Sequence, residues 1–412
     1  MAARNVVNRT HFKGSSAAHH PTAAIRSARV IFESVREPNS LLCAAMASAA
    51  ANNVAHSLKA VVGFIGLGNM GACMAANVLR HNYPLAVFDR NEAAMASLMQ
   101  QGAQPADSPA DLASKADVII TMLPTPAIVL DVYTGPSGVL TASTTTPSTP
   151  SSSSSSTPPI SSSSSSSYRP SSPPSSTPLP STHAIRPHLL IDASTVDPAT
   201  CHALAAAVQA CHVAPSALHS LQGPPLVVDA PVSGGVVGAK AGTLTFMVGG
   251  TAAAFAMAEP LLAAMGSRSL HCGPSGSGSA AKLCNNLALA IQMASVSEAL
   301  ALGQRLGLSP ALLSAIFNSS SAKCWSSEVY NPAPGVMQGV PSARHYQGGF
   351  SNALMSKDLG LAVAAAQAAG APVPLGKNVM AMYADMARAG VAAEDFSSIY
   401  KHTYGGQPVE AK

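Results

Sequence analysis

Val61-Val62-Gly63-Phe64-Ile65-Gly66-Leu67-Gly68-Asn69-Met70-Gly71 is the stretch that decides the fold. The run Val61–Ile65 reads as an apolar strand, and it passes directly into glycines. The spacing Gly66, Gly68, Gly71 is G-x-G-x-x-G, which alone is a weak signal. Between a strand and a helical pattern it becomes a strand–turn–helix that can cradle a phosphate. Gly66 permits the tight turn, Gly68 lets backbone approach a pyrophosphate, and Gly71 lets the helix pack close to the strand. The free N–H groups at the helix start face the phosphate charge. The whole turn, Gly66, Leu67, Gly68, Asn69, Met70 and Gly71, is therefore a candidate nucleotide site.

Outward from that turn, Ala72–His81 reads as the helix and Leu85–Asp89 as the next strand. A carboxylate at Asp89 can accept hydrogen bonds from adenosine ribose hydroxyls and repels the extra phosphate of NADP, which favours NAD. Arg90, beside it, works the other way, because a guanidinium can accommodate that phosphate. Pro109–Lys115 reads as a short helix and Asp117–Leu123 as a strand. Leu123 and Pro124 then stand where strand ends meet ligand, although a proline that simply ends a strand reads equally well. Leu189–Asp192, Val227–Asp229 and Thr243–Val248 are further strand patterns. Strands alternating with helices imply a parallel sheet covered on both faces.

Two segments interrupt this order. Residues 141–182 are almost entirely Ser, Thr and Pro, with serine runs at Ser151–Ser156 and Ser161–Ser167. They offer no apolar surface to offset ordering entropy, so the sequence predicts a disordered insertion within a domain. A shorter insertion lies near Pro215–Pro225. At the N-terminus, residues 1–58 carry Arg4, Arg9, Lys13, Arg26, Arg29 and Arg36 against Glu33 and Glu37, which accounts for the chain's net charge of +4. That basic, Ser- and Ala-rich stretch has the composition of an organellar transit peptide. The balanced remainder offers no basic surface for nucleic acid. The 7 cysteines form no Cys-x-x-Cys pair, which argues for reduced thiols over a disulfide frame or zinc site.

After Gly273 the character changes to Ala- and Leu-rich helical spacing. A long helix is expected from about Ser279 to Leu306, and its polar residues make it a poor membrane span. Lys282 and Asn286 are four apart, so they share one helical face. A lysine in apolar surroundings either snorkels to solvent or acts there. Oxidising an alcohol requires a base for the hydroxyl proton, and a desolvated lysine has its pKa drawn toward the working range. No metal-site or serine–histidine–carboxylate pattern competes with it. Asp229-Ala230-Pro231-Val232-Ser233-Gly234-Gly235 follows a strand. Ser233, Gly234 and Gly235 offer a hydroxyl and successive N–H groups, either as a carboxylate nest or as a plain glycine turn.

Taken together, these stretches resemble the β-hydroxyacid dehydrogenase family: GFIGLGNMG from Gly63, TMLP from Thr121, DASTVDP from Asp192, DAPVSGG from Asp229, GTLTFMVGG from Gly242 and AAKLCNN from Ala280. KCWSSEVYNPAPGVMQGVPSARHYQGGF from Lys323 and KDLGLA from Lys357 are the most diagnostic. The resemblance spans Val61 to about Tyr400 apart from the insertions. It implies a Rossmann-type dinucleotide-binding domain over 59–274, followed by an all-α domain over 275–412. It implies Lys282 as catalytic acid/base, Asn286 on substrate, and Ser233, Gly234 and Gly235 on the substrate carboxylate. Thr195 and Lys357 enter as cofactor contacts on this ground alone. The implied reaction is the NAD-dependent oxidation of 3-hydroxyisobutyrate to methylmalonate semialdehyde, a mitochondrial matrix step of valine breakdown. A homodimer or homotetramer is implied, with no metal, membrane or nucleic-acid partner. Rivals are an NADPH-dependent glyoxylate or succinic semialdehyde reductase, and a non-catalytic nucleotide-binding scaffold, against which the presence of Lys282 speaks. Ile128 stands where the family pattern has a cofactor-contacting asparagine.

Overall fold

The computed structural model describes residues 60–142, 184–216 and 218–406. The expected transit peptide and all but Thr141 and Ala142 of the Ser/Thr/Pro segment lie outside the described residues.

The first half is a repeating strand–helix chain. It runs β1 (Val62–Ile65), α1 (Gly71–Arg80), β2 (Leu85–Phe88), α2 (Glu92–Met99), β3 (Gln104–Pro105), α3 (Pro109–Lys115), β4 (Val118–Thr121) and α4 (Pro126–Thr134). After the insertion come β5 (Ala184–Ile185), β6 (Leu189–Asp192), α5 (Pro198–Val208), β7 (His212–Val213), β8 (Leu226–Asp229) and β9 (Val232–Ser233). Next are α6 (Gly235–Ala241), β10 (Leu244–Gly249), α7 (Ala252–Met265) and β11 (Gly266–Gly273). The main sheet has the order β11-β10-β8-β6-β4-β1-β2-β3. β1, β2, β4, β6 and β8 are parallel, and β10 joins β8 antiparallel.

Alternation along the strands explains the continuous apolar runs. Val118 and Ile120 pack into the core on one face of the sheet, while Ile119 packs into the core on the other. Leu189 and Ile191 face the first core and Leu190 the second. A strand buried on both faces has no polar side to show.

The helices begin with a recurring device. Ser108, Thr125 and Asp197 each accept a backbone N–H from the first turn, and each precedes a proline at the first helical position. A capping oxygen satisfies an amide the helix cannot, and proline lacks the amide altogether.

The second half is helical: α8 (Ser277–Arg305), α9 (Pro310–Ser319), α10 (Trp325–Glu328), α11 (Asn352–Ala368), α12 (Pro374–Met386) and α13 (Ile399–His402). Its main core gathers Ala290, Met293, Met355, Leu359, Val379 and Tyr383. α8 is long and apolar enough to cross a membrane, but half of that window is buried against the rest of the chain, as in a core helix.

The observed bounds correct several sequence expectations. α8 starts at Ser277 rather than Ser279, and β4 spans Val118–Thr121 rather than Asp117–Leu123. The sequence reading misses β11. That strand sits at the sheet's edge with most of its residues exposed, so it carries no apolar alternation. The second insertion folds back, with His219 packing on the ring of His188.

Candidate active site

The register of the sheet sets the site. Ile65 pairs with Phe88 and Thr121, Thr121 with Asp192, and Asp192 with Asp229. The residues that follow β1, β2, β4, β6 and β8 therefore leave the sheet at one edge, where ligands of such folds sit.

At that edge the glycine turn has the shape expected of it. Gly66 has φ +93°, and a Cβ there would meet the Met122 carbonyl. A Cβ on Gly71 would collide with the Gly66 carbonyl. Among the described residues, no atom beyond Gly68 and its two chain neighbours lies within 4 Å of where a Cβ on Gly68 would stand, so a ligand can approach there. Met70 starts α1 without a side-chain cap, unlike the Ser/Thr/Asp starts elsewhere. Leu67 is buried in the core, so it offers only backbone, whereas Asn69 is exposed. Asp89 holds the turn: Oδ2 accepts from the Leu67 N–H at 2.6 Å and Oδ1 from the Asn91 N–H at 2.8 Å. Each oxygen keeps a lone pair for a ribose hydroxyl. Arg90 is exposed beside it. These features fit a dinucleotide.

The strand ends after β4 and β6 are tied together. Thr121 Oγ1 donates to buried Asp192, and Ser194 Oγ accepts the Leu123 N–H. Burial raises the Asp192 pKa, while bonds from Ser194 and Thr121 pull it down. Pro124 is exposed and Ile128 half-buried; Ile128 gives only its amide, to Thr125 Oγ1.

Asp229 links the sheet to the helical half. Its carboxylate accepts the Gly276 and Ser279 N–H groups at 2.7 and 2.8 Å, capping α8 from a distance. Burial raises its pKa, opposed by those backbone bonds. One turn on, Lys282 is 8% exposed. Burial lowers its pKa to about 8, with Asp358 pulling it up and Lys357 pushing it down. Asn286, on the same face, is also buried, and its Nδ2 donates to Asp358 Oδ2 at 2.6 Å. Lys357 on α11 reaches back to the sheet, donating to the carbonyls of Thr195 at 2.9 Å and Pro124 at 3.3 Å.

The structure thus groups Lys282, Asn286 and Lys357, and joins them to Thr195 and Pro124. Ser233 ends β9, and Gly234 and Gly235 open α6. Both glycines are exposed with positive φ, at 133° and 61°. Among the described residues no hydrogen bond connects them to the lysine group. Sequence reasoning missed Asp358, although it stands next to Lys357 in KDLG. Its signal was a carboxylate on a helix face otherwise lined by Met355, Leu359 and Ala362.

A dinucleotide turn on a parallel sheet, facing a helical half that carries a buried lysine, defines an NAD(P)-binding oxidoreductase. Residues 61–161 and 181–273 match the family model described as the NAD-binding domain of 6-phosphogluconate dehydrogenase. Residues 276–403 match the one described as NAD-binding of NADP-dependent 3-hydroxyisobutyrate dehydrogenase. The chain belongs to the 3-hydroxyisobutyrate dehydrogenase family. It is 43% identical over 346 residues to a probable mitochondrial 3-hydroxyisobutyrate dehydrogenase of Arabidopsis thaliana, covering 84% of this chain and 88% of that protein. It is 43% identical over 343 residues to the mitochondrial enzyme of Homo sapiens, covering 83% and 86%. A solved 3-hydroxyisobutyrate dehydrogenase of Mycobacterium tuberculosis with L-serine superposes with a TM-score of 0.67 at 34% identity, over 84% of this chain and 99% of that one.

Proposed function

We propose that this protein oxidises 3-hydroxyisobutyrate to methylmalonate semialdehyde with NAD, in the mitochondrial matrix, with Lys282 taking the hydroxyl proton. The observation that carries this reading is Lys282 itself, buried on α8 beside Asn286 with its pKa drawn down to about 8. NAD held at the glycine turn would supply the acceptor for the hydride leaving the substrate's C–H bond. The O–H proton passes to the neutral Lys282 Nζ, leaving the aldehyde C=O; in reverse the ammonium returns that proton. Asn286 holds the substrate oxygen, and Ser233, Gly234 and Gly235 bind its carboxylate. Gly66, Leu67, Gly68, Asn69, Met70 and Gly71 cradle the pyrophosphate, and Asp89 selects NAD through the ribose. Leu123, Pro124, Thr195 and Lys357 line the rest of the cofactor.

The family names and the basic leader support import into mitochondria, with cleavage ahead of a dinucleotide domain at 59–274 and a helical domain at 275–412. The protein works off the membrane as a homodimer or homotetramer. Leu302 on α8, Leu306 just past its end, and Leu312 and Ile316 on α9 are exposed, apolar side chains suited to a second copy.

The test is a spectrophotometric assay of the chain without residues 1–58, using 3-hydroxyisobutyrate and either cofactor. Strong NAD reduction with little NADP reduction is expected. The rate should rise with pH through about 8, because only the neutral lysine accepts a proton. Turnover with NADP instead would make Arg90 the dominant neighbour of the ribose. No turnover in protein that binds NAD would overturn the substrate assignment.

A further inference from the structure

α11 sets two opposite charges side by side, Lys357 and Asp358, and both act on Lys282. Asp358 is 3% exposed. Its Oδ2 accepts from Asn286 Nδ2 at 2.6 Å, and its Oδ1 lies 3.1 Å from Lys357 Nζ. The other end of the Asn286 amide is held as well, since Oδ1 accepts from Asn285 Nδ2 at 3.1 Å. A carboxylate only accepts, so Asp358 decides which way round the Asn286 amide lies. One amide N–H and one carbonyl lone pair of Asn286 then remain for a ligand. The same carboxylate steadies the Lys357 ammonium, which is bonded to the Thr195 and Pro124 carbonyls across the two halves.

We propose that Asp358 is a positioning residue for the proton transfer: it fixes the Asn286 amide and the Lys357 ammonium, so that Lys282 meets one fixed negative and one fixed positive charge. This rests on the reading of Lys282 as proton acceptor. The two neighbours work in opposite directions. Burial lowers the lysine's pKa, Asp358 counters it, and Lys357 adds to it. Among the described residues, other charged or titratable groups on elements packed against α8 include Asp229, engaged at the helix start, His202, bonded to the Ser275 carbonyl, Cys201 on α5, His271 on β11, Lys377 and Tyr383 on α12, and Tyr400 on α13, which bonds Gln304. On α8 itself Cys284 is exposed, and Glu298 and Arg305 lie about four turns or more along.

The experiment is the pH profile of kcat/KM for oxidation in the wild type, Asp358→Asn, Asp358→Ala and Asp358→Glu, with thermal melts of each. Asp358→Asn keeps an acceptor for Asn286 but removes the charge. The rising limb should move to lower pH by roughly one unit, with KM nearly unchanged. Asp358→Ala also frees the Asn286 amide, and KM should rise about tenfold or more as well. Asp358→Glu should return the limb toward the wild-type position. Lys357→Gln, assayed at saturating NAD, gives an independent arm should the Asp358 variants fail to fold: its limb should move to higher pH. Limbs that stay in place in these variants, with only the melting temperature lowered, would overturn the inference. Lys282→Ala separates the two readings. If it keeps the limb, the proton acceptor lies elsewhere. If it abolishes the limb while Asp358→Asn leaves it unmoved, only the role of Asp358 falls.

Discussion

The glycine turn at Gly66–Gly71 and the α8/α11 contact around Lys282 meet at the same edge of the sheet but are built from opposite materials. The turn works by lacking side chains. Gly66 and Gly71 have no room for a methyl group, and Gly68 leaves space open. The α8/α11 contact works by keeping charge where charge is costly: Lys282 and Asp358 are both buried, with the Asn286 amide buried beside them. The difference teaches what kind of damage each region suffers. A change in the turn acts through sterics, which do not titrate. A change around Lys282 acts through electrostatics, so its size depends on pH.

The largest expected effect tests the charged region. Lys282→Ala should lower kcat by about a thousandfold while NAD affinity stays within about twofold. Stability should move the other way. The folded pKa of Lys282, about 8, lies below its ordinary value of 10.5. The folded state therefore bears the cost of burying a charge, in full below pH 8, shrinking as pH rises toward 10.5. Lys282→Met should accordingly raise the melting temperature at pH 7, by up to about 3 kcal/mol of stability. That gain should narrow as pH climbs above 8. Full turnover in Lys282→Ala would mean that the buried charge takes no part in the chemistry.

The next effect tests the turn. Gly71→Ala places a methyl group against the Gly66 carbonyl, which is backbone and cannot swing aside. A loss of about 3 kcal/mol is expected, together with NAD binding. Denaturant melts at pH 6 and pH 9 should show the same loss. A loss that changed with pH would mean the turn is coupled to the buried charges after all.

The same contrast explains what the sequence could tell. A glycine turn is a local steric demand within six consecutive residues, so it reads directly, and the strand before it and helix after it are found. Lys282 and Asn286 share a helix, so their pairing is also legible from a spacing of four. Their partner Asp358 lies 72 residues beyond Asn286, where no spacing rule reaches. Lys357 and Thr195 are separated by 162 residues, and only family resemblance brought them into view. Asp229 looked like the end of a strand in a glycine motif. Its work as the remote cap of α8 needs the fold, because its acceptors serve amides 47 and 50 residues away. β11 escaped for the converse reason: an exposed edge strand is under little pressure to be apolar.

Gly68→Ala is the smallest expected change to the fold and the sharpest probe of the turn. Among the described residues, nothing beyond its chain neighbours stands near the added methyl group, so stability should stay within about 0.5 kcal/mol of the wild type. The space it fills is the approach to the pyrophosphate, so NAD affinity should fall by about tenfold or more, with kcat at saturating NAD little altered. Calorimetric titration beside a thermal melt measures both. If stability fell as far as in Gly71→Ala, the open space at Gly68 would be part of the folding constraint and not an opening kept for a ligand. If neither quantity moved, the ligand would approach the sheet edge from elsewhere. The turn would then be reduced to a device for bringing α1 close to β1.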